Sequence, residues 1–455
     1  MQTIVKGQHH YKNLGRPWGN EKEGVSRRLI SSILLPGLAL TYLRLQRQTS
    51  HGASAFDNAW ELQNEKTPYN TKSLLLLFKR FLKYVRLPIS RRLGTALISL
   101  GSLFNRQQPA LLGIDISSSS VKLVELSRDS AGNLVLDRCA IEPLERGWIT
   151  DGNVEKFDEV ADAVRRLVKK SGTRTKNVAM ALPASAVITK KIILPGGMTE
   201  AELELQVESE ANQYIPFSLD EVSLDFCVVG PSATSSGDVE VLIAASRKEK
   251  VQDRQGLAEA AGLKPIVVDV ESYASRLATS RLIENLPNKG VNTMVALFEV
   301  GASTTSMQVM KNDDVLYERD QAFGGAQLTE LIVRQYGFSL EEAEAKKRSG
   351  DLPEDYESGV LKPFVDSMAQ EIGRALQFFF TSTPHNKVDY VMLAGGSSAL
   401  PGLTESVTQQ TSFACVVANP FEGMELGSGV REKKMRREAS SYLTSCGLAL
   451  RRFLQ

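Results

Sequence analysis

The pattern of apolar positions along the chain changes sharply near residue 110. Leu111–Ile116 is an apolar run with one acid, Asp115, next to its end, and small residues occupy positions 117–120. Val121–Leu126 then alternates apolar and polar side chains. A continuous apolar run is typical of a buried strand, and alternation is typical of a half-buried one. The sequence therefore predicts a β-hairpin over residues 111–126.

The same arrangement returns in the second half of the chain. Val295–Val300 predicts a strand, positions 301–304 predict a small-residue turn, and Thr305–Met310 predicts the returning strand. In this correspondence Asp115 matches Glu299 and Ser117 matches Gly301. Each copy precedes a longer stretch of mixed strand and helix pattern, so the sequence predicts a duplicated α/β domain rather than a short repeat.

Two hairpins with small turns and a carboxylate on each first strand suit a phosphate ligand. Small turn residues let backbone N–H groups approach phosphate oxygens closely, and hydroxyls add further donors. Asp115 and Glu299 can hold Mg²⁺, usually through water, because Mg²⁺ dehydrates reluctantly. Two such turns facing each other across a cleft would hold the phosphates of ATP or ADP from both sides. The alternative is a pair of ordinary Ser/Gly hairpins without a ligand.

Other segments extend this candidate site. A glycine-rich loop follows the predicted strand Val388–Ala394, and paired glycines let a flat ligand such as adenosine pack on the backbone. The glycine pair at 324–325 opens a predicted helix that ends at Tyr336, whose first N–H groups could meet a phosphate. Glu344 and Lys347 lie on one face of the next predicted helix and either bracket the ribose and base or form an exposed ion pair. The residues assigned to the nucleotide are Asp115, Ser117, Ser118, Ser119, Ser120, Lys122, Gly301, Ala302, Ser303, Thr304, Gly324, Gly325, Glu344, Lys347, Gly395, Gly396 and Ser397, with Asp115 and Glu299 as the metal candidates.

Between the two copies the sequence predicts a small sheet with one helix. Thr199 is the expected N-cap of this helix, which runs to Tyr214, and Glu202 occupies the capping-box position. A polar loop over residues 231–237 joins the last two strands. The strands are expected at Asn177–Leu182, Ile188–Leu194, Val222–Val229 and Val239–Ser246.

Charge is divided unevenly, although the 455 residues sum to a formal net charge of +1. Residues 1–108 hold 17 Lys and Arg against 5 Asp and Glu, whereas the remainder holds 37 against 48. An acidic body argues against a dedicated nucleic-acid-binding protein. The four cysteines are far apart in sequence, which argues against a cysteine zinc site or a disulfide framework and for a reducing, cytosolic setting.

The basic segment 1–108 has three interpretations. A helix over residues 72–92 would place basic residues beside leucines and phenylalanines and could lie on an anionic membrane surface. The segment could instead be a largely disordered leader. A third hypothesis is that translation starts near residue 100 at a non-Met start codon, since no Met occurs between Met1 and Met180. Peptides from residues 10–70 in the native protein would refute this third hypothesis.

Several motifs resemble the ATP-binding superfamily of actin, Hsp70 and the sugar kinases. Leu112–Ile116 resembles its first phosphate loop, Phe298–Thr305 its second, and Leu393–Ser397 its adenosine motif, while Val268–Ala274 resembles the helix that connects the two halves. The PilM family of type IV pilus assembly proteins, which is related to FtsA, is a closer match over about residues 100–455. The runs similar to that family are Leu111–Leu126, Phe323–Thr329, Leu393–Leu403 and Cys446–Arg451.

This resemblance implies the fold class. A duplicated actin-like (ribonuclease H-like) α/β fold of two lobes is expected, with an inserted FtsA-type 1C (SHS2-like) subdomain at about residues 175–248. The first lobe is expected over residues 109–290 and the second over 291–455, with the chain returning to the first lobe near residue 455. The basic extension, residues 1–108, precedes both lobes.

The resemblance also implies a role. PilM-like proteins are cytoplasmic, associate peripherally with the inner membrane, and bind ATP or ADP with Mg²⁺. The groove beside their inserted subdomain receives the N-terminal cytoplasmic peptide of PilN; contacts with other inner-membrane pilus components and self-association are further expectations. Glu299 departs from the usual Asp, and serines replace glycines in the first turn, so ATP hydrolysis is expected to be slow at most. The alternatives are an FtsA-like cell-division protein, a small-molecule kinase of the same superfamily and a nucleotide-independent scaffold.

Overall fold

The computed structural model describes residues 109–312 and 314–454. The predictions for the basic extension 1–108 lie outside the described residues. The first elements form a three-stranded antiparallel meander, a short hairpin, a helix and a further strand. These are β1 (Leu112–Ile116), β2 (Ser120–Arg128), β3 (Leu134–Pro143), β4 (Ile149–Thr150), β5 (Asn153–Val154), α1 (Phe157–Ser171) and β6 (Asn177–Leu182).

The chain then forms a second, smaller sheet before it returns to the first one. The elements of the smaller sheet are β7 (Ile188–Pro195), α2 (Glu200–Tyr214), β8 (Val222–Pro231) and β9 (Asp238–Arg247). The return is made by α3 (Lys248–Ala260), β10 (Lys264–Val270) and α4 (Glu271–Ile283).

The remaining residues build a third sheet with its helices. Its first part comprises β11 (Met294–Val300), β12 (Thr305–Lys311), β13 (Asp314–Gln321), α5 (Ala326–Tyr336), α6 (Leu340–Ser349) and α7 (Lys362–Ser382). Its second part comprises β14 (Tyr390–Ala394), α8 (Leu403–Thr411), β15 (Ala414–Val417), β16 (Glu425–Leu426), α9 (Glu432–Glu438) and α10 (Leu443–Leu450).

The two large sheets have the same strand order, which shows the duplication directly. The first sheet is ordered β10-β6-β1-β2-β3-β16, and the other, taken from its far edge, is ordered β15-β14-β11-β12-β13. In each, the central strand pairs antiparallel with its hairpin partner and parallel with the strand on its other side. The hairpin β1–β2 therefore occupies the same place in its sheet as the hairpin β11–β12 does.

Both central strands are buried on two faces, which explains why their sequences are continuous apolar runs. One face of β1 packs against α1 and α3, through Leu112 and Ile114 among others. One face of β11 packs against α5 and α7, through Ala296 and Phe298. The helices α4 and α10 cover the other faces and lie between the two sheets.

Helices α4 and α10 cross each other and β1 at very short range. A Cβ on Gly447 of α10 would collide with the carbonyl oxygen of Ala274 on α4. A Cβ on Gly113 of β1 would collide with the carbonyl oxygen of Ser445 on α10. Glycine at both places therefore allows the backbones to approach, and the two helices form a shared layer between the lobes.

The smaller sheet has the order β7-β9-β8 and carries α2 on one face through Leu203, Val207 and Ala211. The capping box is confirmed, because Thr199 accepts from the Glu202 N–H and the Glu202 carboxylate accepts from the Thr199 N–H. The strand Asn177–Leu182 was grouped with this subdomain by sequence, and that grouping is wrong. It is β6, which pairs with β1 and β10 in the first large sheet, so the insertion begins after Leu182.

The other strands and helices predicted after residue 109 are present, most of them to within a few residues at each end. The exception is Val268–Ala274, expected as the helix that connects the two halves, because its first three residues belong to β10 and the helix α4 continues to Ile283. Within residues 109–312 and 314–454, no helix is long and apolar enough to span a membrane.

Candidate functional site

The first turn, residues 117–120, is held closed by its own residues. The Ser117 N–H and the Ser117 hydroxyl both donate to the Ser120 carbonyl oxygen, each at 3.0 Å. Lys122 lies directly across the hairpin from Asp115. Its ammonium donates to Asp115 Oδ2 at 2.8 Å and to Ser117 Oγ at 2.9 Å, and both charged side chains are buried. The register thus fixes a positive group against the base of the turn, beside half-buried Ser118, Ser119 and Ser120.

The second turn, residues 301–304, is braced by two neighbouring loops. The Gly301 N–H donates to the Thr304 carbonyl oxygen at 2.9 Å. The Gly301 carbonyl oxygen accepts from the Gly325 N–H at 3.0 Å and from the Ser397 hydroxyl at 3.2 Å. The structure therefore gathers three of the loops singled out by sequence, at 301–304, 324–325 and 395–397, into one region.

The two turns face each other across the gap between the large sheets. The Ser303 hydroxyl donates to the Ser118 hydroxyl at 3.5 Å, a contact between residues 185 positions apart. A second bridge joins the lobes farther along, where Arg146 Nη2 lies 3.2 Å from Glu330 Oε1. Backbone groups of both turns can thus contact one anionic ligand. The duplicated motif predicts this facing arrangement of the two turns. Nucleotide binding itself stays a prediction.

At the start of α5, two N–H groups already have partners within the protein, and a phosphate contact there stays a prediction. The Gly325 and Ala326 N–H groups donate to the carbonyl oxygens of Gly301 and Ala302, at 3.0 and 2.8 Å. These two donors are therefore used to attach α5 to the second turn. The physical reason is the close approach of Gly324, where a Cβ would collide with the Ala302 carbonyl oxygen.

The loop after β14 supports the predicted platform for a flat ligand in its backbone geometry. Gly395 has φ +89°, and a Cβ there would collide with the Val300 carbonyl oxygen at the end of β11. The Gly395 N–H donates to the Ser440 carbonyl oxygen at 2.8 Å, and the Ser398 hydroxyl donates to the Gly395 carbonyl oxygen at 2.8 Å. Gly396 and Ser397 follow in this anchored loop.

For Glu344 and Lys347, the structure shows the ion pair. Glu344 Oε2 lies 2.6 Å from Lys347 Nζ and accepts from the Thr329 hydroxyl of α5 at 2.7 Å, while Arg348 binds its other oxygen. Burial opposes ionisation of Glu344, but Lys347, Thr329 and Arg348 outweigh it and lower its pKa. These groups attach α6 to α5, and contact with ribose or base stays a prediction.

Three carboxylates at or next to the ends of β1, β10 and β11, from Asp115, Glu271 and Glu299, act on one another electrostatically. Burial, with the charge of Asp115 added, raises the pKa of Glu271, and Arg254 and Lys122 partly offset this rise. Burial also raises the pKa of Glu299 to about 7, with Asp115 adding to the rise and hydrogen bonds from Ser275 and Thr444, with the charge of Lys122, opposing it.

Glu271 is not among the site residues predicted from the motifs. A usable signal was present, because Glu271 directly follows the buried strand β10 and so lies at a strand end, as do Asp115 and Glu299.

An additional cation would change the protonation of these carboxyl groups. The charged groups that act on Glu271 are Asp115, Glu299, Lys122 and Arg254. Because the pKa values of Glu271 and Glu299 are both raised, these two carboxyl groups tend to hold protons near neutral pH. A hydrated Mg²⁺ near Asp115 and Glu299 would favour the ionised form of Glu299. Within the described ranges there is no group of three or more His, Cys, Asp or Glu placed to ligate a metal directly.

A separate groove of about 420 Å³ lies between the smaller sheet and the β4–β5 hairpin. Its apolar wall includes Ile188, Ile215 and Val222, and its polar rim includes Asp151 and Lys250. The Arg247 guanidinium stacks on the Phe217 ring at 4.2 Å, and both residues line the groove. An apolar wall with charged groups of both signs at the rim suits a short peptide that carries apolar side chains.

Comparison with known proteins adds an independent line of evidence. A family model described as type IV pilus assembly protein PilM matches residues 113–453. A solved structure of the PilM-PilN type IV pilus biogenesis complex is 29% identical with a TM-score of 0.63, and the match covers 76% of this chain and 99% of that chain. A structure of the ethanolamine utilization protein EutJ from Carboxydothermus hydrogenoformans is 16% identical with a TM-score of 0.46, covering 78% of this chain and 96% of that one.

Among curated proteins, EutJ from Escherichia coli (strain K12) is 30% identical over 112 residues, which is 25% of this chain and 37% of EutJ. The chain thus spans little more than a third of the length of the curated relatives it matches.

Two sheets that share a five-strand order, with paired hairpin turns facing across a gap, define the actin-like class of two-lobed α/β proteins. Because the family model spans most of the chain, the particular family follows: the chain belongs to the PilM family of type IV pilus assembly proteins. Both the fold class and the family expected from the motifs are confirmed.

Proposed function

We propose that this protein binds ATP or ADP with Mg²⁺ between its two lobes and docks the N-terminal cytoplasmic peptide of PilN in the groove beside the smaller sheet. The observation that carries the nucleotide part is the facing pair of turns, joined by the Ser118–Ser303 contact. Backbone N–H groups of both turns and Lys122 would bind the phosphates. Asp115 and Glu299 would hold Mg²⁺ through water, and the cation would neutralise phosphate charge.

Support for the peptide part comes from the groove and from the likeness to the PilM-PilN complex. The apolar wall would accept alternate side chains of an extended peptide, and the charged rim would bind its polar groups. A docked peptide would place the protein at the cytoplasmic face of the inner membrane, as a peripheral component of the pilus machinery. Other inner-membrane pilus components and self-association belong to the same proposal.

In this proposal nucleotide acts through differential affinity for open and closed arrangements of the lobes rather than through rapid turnover. We propose lobes at residues 109–290 and 291–455, with the insertion starting after Leu182. ATP hydrolysis is slow at most, because Lys122 already compensates Asp115 and the longer Glu299 replaces the usual aspartate.

The nucleotide proposal is tested by titrating the full chain with ATP or ADP and Mg²⁺ and following heat of binding. We expect Asp115→Asn to weaken adenylate affinity at least about tenfold, the effect of one lost contact to a charged group. Asp158→Asn, which changes an exposed carboxylate on α1, is the matched control. Undiminished affinity in a folded Asp115→Asn protein would contradict the proposed site.

The peptide proposal needs a separate measurement with a fluorescent peptide of the PilN N-terminus, with and without ATP and Mg²⁺. Phe217→Glu places a charge in the groove and should abolish binding. Ile193→Glu is the control, since Ile193 is 48% exposed on β7 and does not line the groove. Equal peptide binding by both variants would show that the peptide docks elsewhere.

A further inference from the structure

The Glu299 carboxylate is held by a chain of two hydroxyl groups that come from the helices between the lobes. The Thr444 hydroxyl of α10 donates to Glu299 Oε1 at 3.1 Å. The hydroxyls of Thr444 and of Ser275 on α4 lie 3.0 Å apart, and because the Thr444 proton goes to Glu299, the Ser275 hydroxyl donates to Thr444. Ser275 is fully buried and Thr444 is 8% exposed, so bulk water does not replace these contacts.

The two hydroxyls are fixed in place by the crossing of their helices. Ser275 directly follows Ala274, whose carbonyl oxygen lies against Gly447 of α10. Thr444 directly precedes Ser445, whose carbonyl oxygen lies against Gly113 of β1. The close backbone contacts at both places oppose a shift of either helix toward the other or toward β1, so the Ser275–Thr444 pair is an anchor for the longer side chain of Glu299.

We propose that Ser275 and Thr444 are positioning residues that hold the Glu299 carboxylate toward the cation side of the cleft and thereby connect that carboxylate to the two helices packed between the lobes. This inference rests on the proposed nucleotide function and adds residues that the motifs did not indicate. It also gives the Glu at this position a physical reason: the extra methylene, relative to Asp, lets the carboxylate reach hydroxyls on α4 and α10. An anchored carboxylate binds a hydrated cation without first losing side-chain freedom.

The test measures how much Mg²⁺ strengthens nucleotide binding, expressed as the ratio of Kd without Mg²⁺ to Kd with Mg²⁺. Thr444→Val keeps the side-chain volume and removes the donor. We expect the ratio to fall about tenfold, as for the loss of one hydrogen bond to a charged group, with little change in Kd without Mg²⁺. Thr444→Ser keeps a hydroxyl and should restore most of the ratio. Thr279→Val is the matched control, because Thr279 is a buried threonine of α4 that donates to the Ser275 carbonyl oxygen.

A double-mutant cycle separates positioning from general packing. In the Glu299→Asp background the carboxylate is one methylene short of Thr444, so adding Thr444→Val should change the ratio no further. An unchanged ratio in Thr444→Val alone, or an equal loss in both backgrounds, would overturn the inference. Should Thr444→Val fail to fold, Ser275→Ala supplies the same comparison, and an unchanged ratio there has the same meaning.

Failure of the inference and failure of the proposed function give different results. Normal adenylate binding by the wild-type chain with an unaltered ratio in the variants removes only the positioning role. Lack of adenylate binding by the wild-type chain removes the proposed nucleotide function and this inference with it.

Discussion

The two hairpins occupy equivalent positions in the duplicated sheets, yet their acids have different partners. Asp115 lies across its hairpin from Lys122 and is ion-paired at 2.8 Å. Glu299 lies across its hairpin from Ser306, and its partners are hydroxyls from α4 and α10. A carboxylate with a buried ammonium beside it is compensated, whereas a half-buried carboxylate with hydroxyl partners keeps a raised pKa. Duplication of the backbone thus fixed the places of the two acids, and the surrounding residues gave them different electrostatics.

The largest expected effect comes from breaking the ion pair between Lys122 and Asp115. Lys122→Ala leaves the buried Asp115 without its cation, which should lower the free energy of unfolding by about 3–5 kcal/mol. Chemical denaturation of the full chain measures this change. Lys347→Ala, which removes one partner of the partly exposed Glu344, is the comparison and should cost much less. A loss below about 1 kcal/mol for Lys122→Ala would show that the pair is not a stabilising element.

Glu299, whose direct hydrogen-bond partner is a hydroxyl group, should have a smaller effect on the free energy of unfolding, and this effect should depend on pH. The pKa of Glu299 in the folded protein, about 7, lies above its unfolded value of 4.5. Between these values the folded state holds the proton more tightly than the unfolded state does, so the free energy of unfolding falls as pH rises from about 4.5 and levels off above about 7.

The Glu299→Gln side chain cannot ionise, so the decrease in the free energy of unfolding that Glu299 causes between about pH 4.5 and pH 7 should disappear in this variant. Without nucleotide, we expect the variant to gain about 1–3 kcal/mol relative to wild type at pH 8 and little at pH 5, as measured by chemical denaturation at the two values. A difference between variant and wild type that stays constant from pH 5 to pH 8 would contradict the raised pKa.

The smallest effect is expected at the bridge between the lobes. Arg146 and Glu330 are 66% and 41% exposed, so their ion pair should contribute less than about 1 kcal/mol and weaken with salt. Arg146→Glu places like charges together and should slightly lower the thermal midpoint at low salt. The exchanged pair, Arg146→Glu with Glu330→Arg, should restore it. A midpoint that falls equally in the single and the exchanged variants would rule out a direct interaction.

The hairpins are predictable from the sequence because their signals are local. A continuous apolar run, a small-residue turn and an acid all lie within about a dozen positions, and the capping box of α2 lies within four. The sequence does not reveal that β6 belongs to the first large sheet, because a short apolar strand next to the insertion carries no local signal of which sheet it joins. Its parallel neighbours β1 and β10 are found only in three dimensions.

The site was less predictable than the fold for the same reason. The hydroxyl anchor of Glu299 joins residues 145 and 169 positions apart, and nothing near Thr444 or Ser275 in sequence indicates it. The start of α5 shows the limit of a local signal. A glycine pair before a helix resembles a phosphate site locally, but the second turn already uses the Gly325 and Ala326 donors.

The layer formed by α4 and α10 has a consequence for how the chain acquires its structure. The first sheet is covered on one face by a helix that emerges from the ribosome long after β1 and β2, and Arg452 donates to the Leu126 carbonyl oxygen across 326 residues of sequence. Contacts between residues so far apart in sequence form slowly. During synthesis, the N-terminal lobe must therefore wait with one apolar face uncovered, so chaperone dependence should be greatest for nascent chains that stop just short of residue 443.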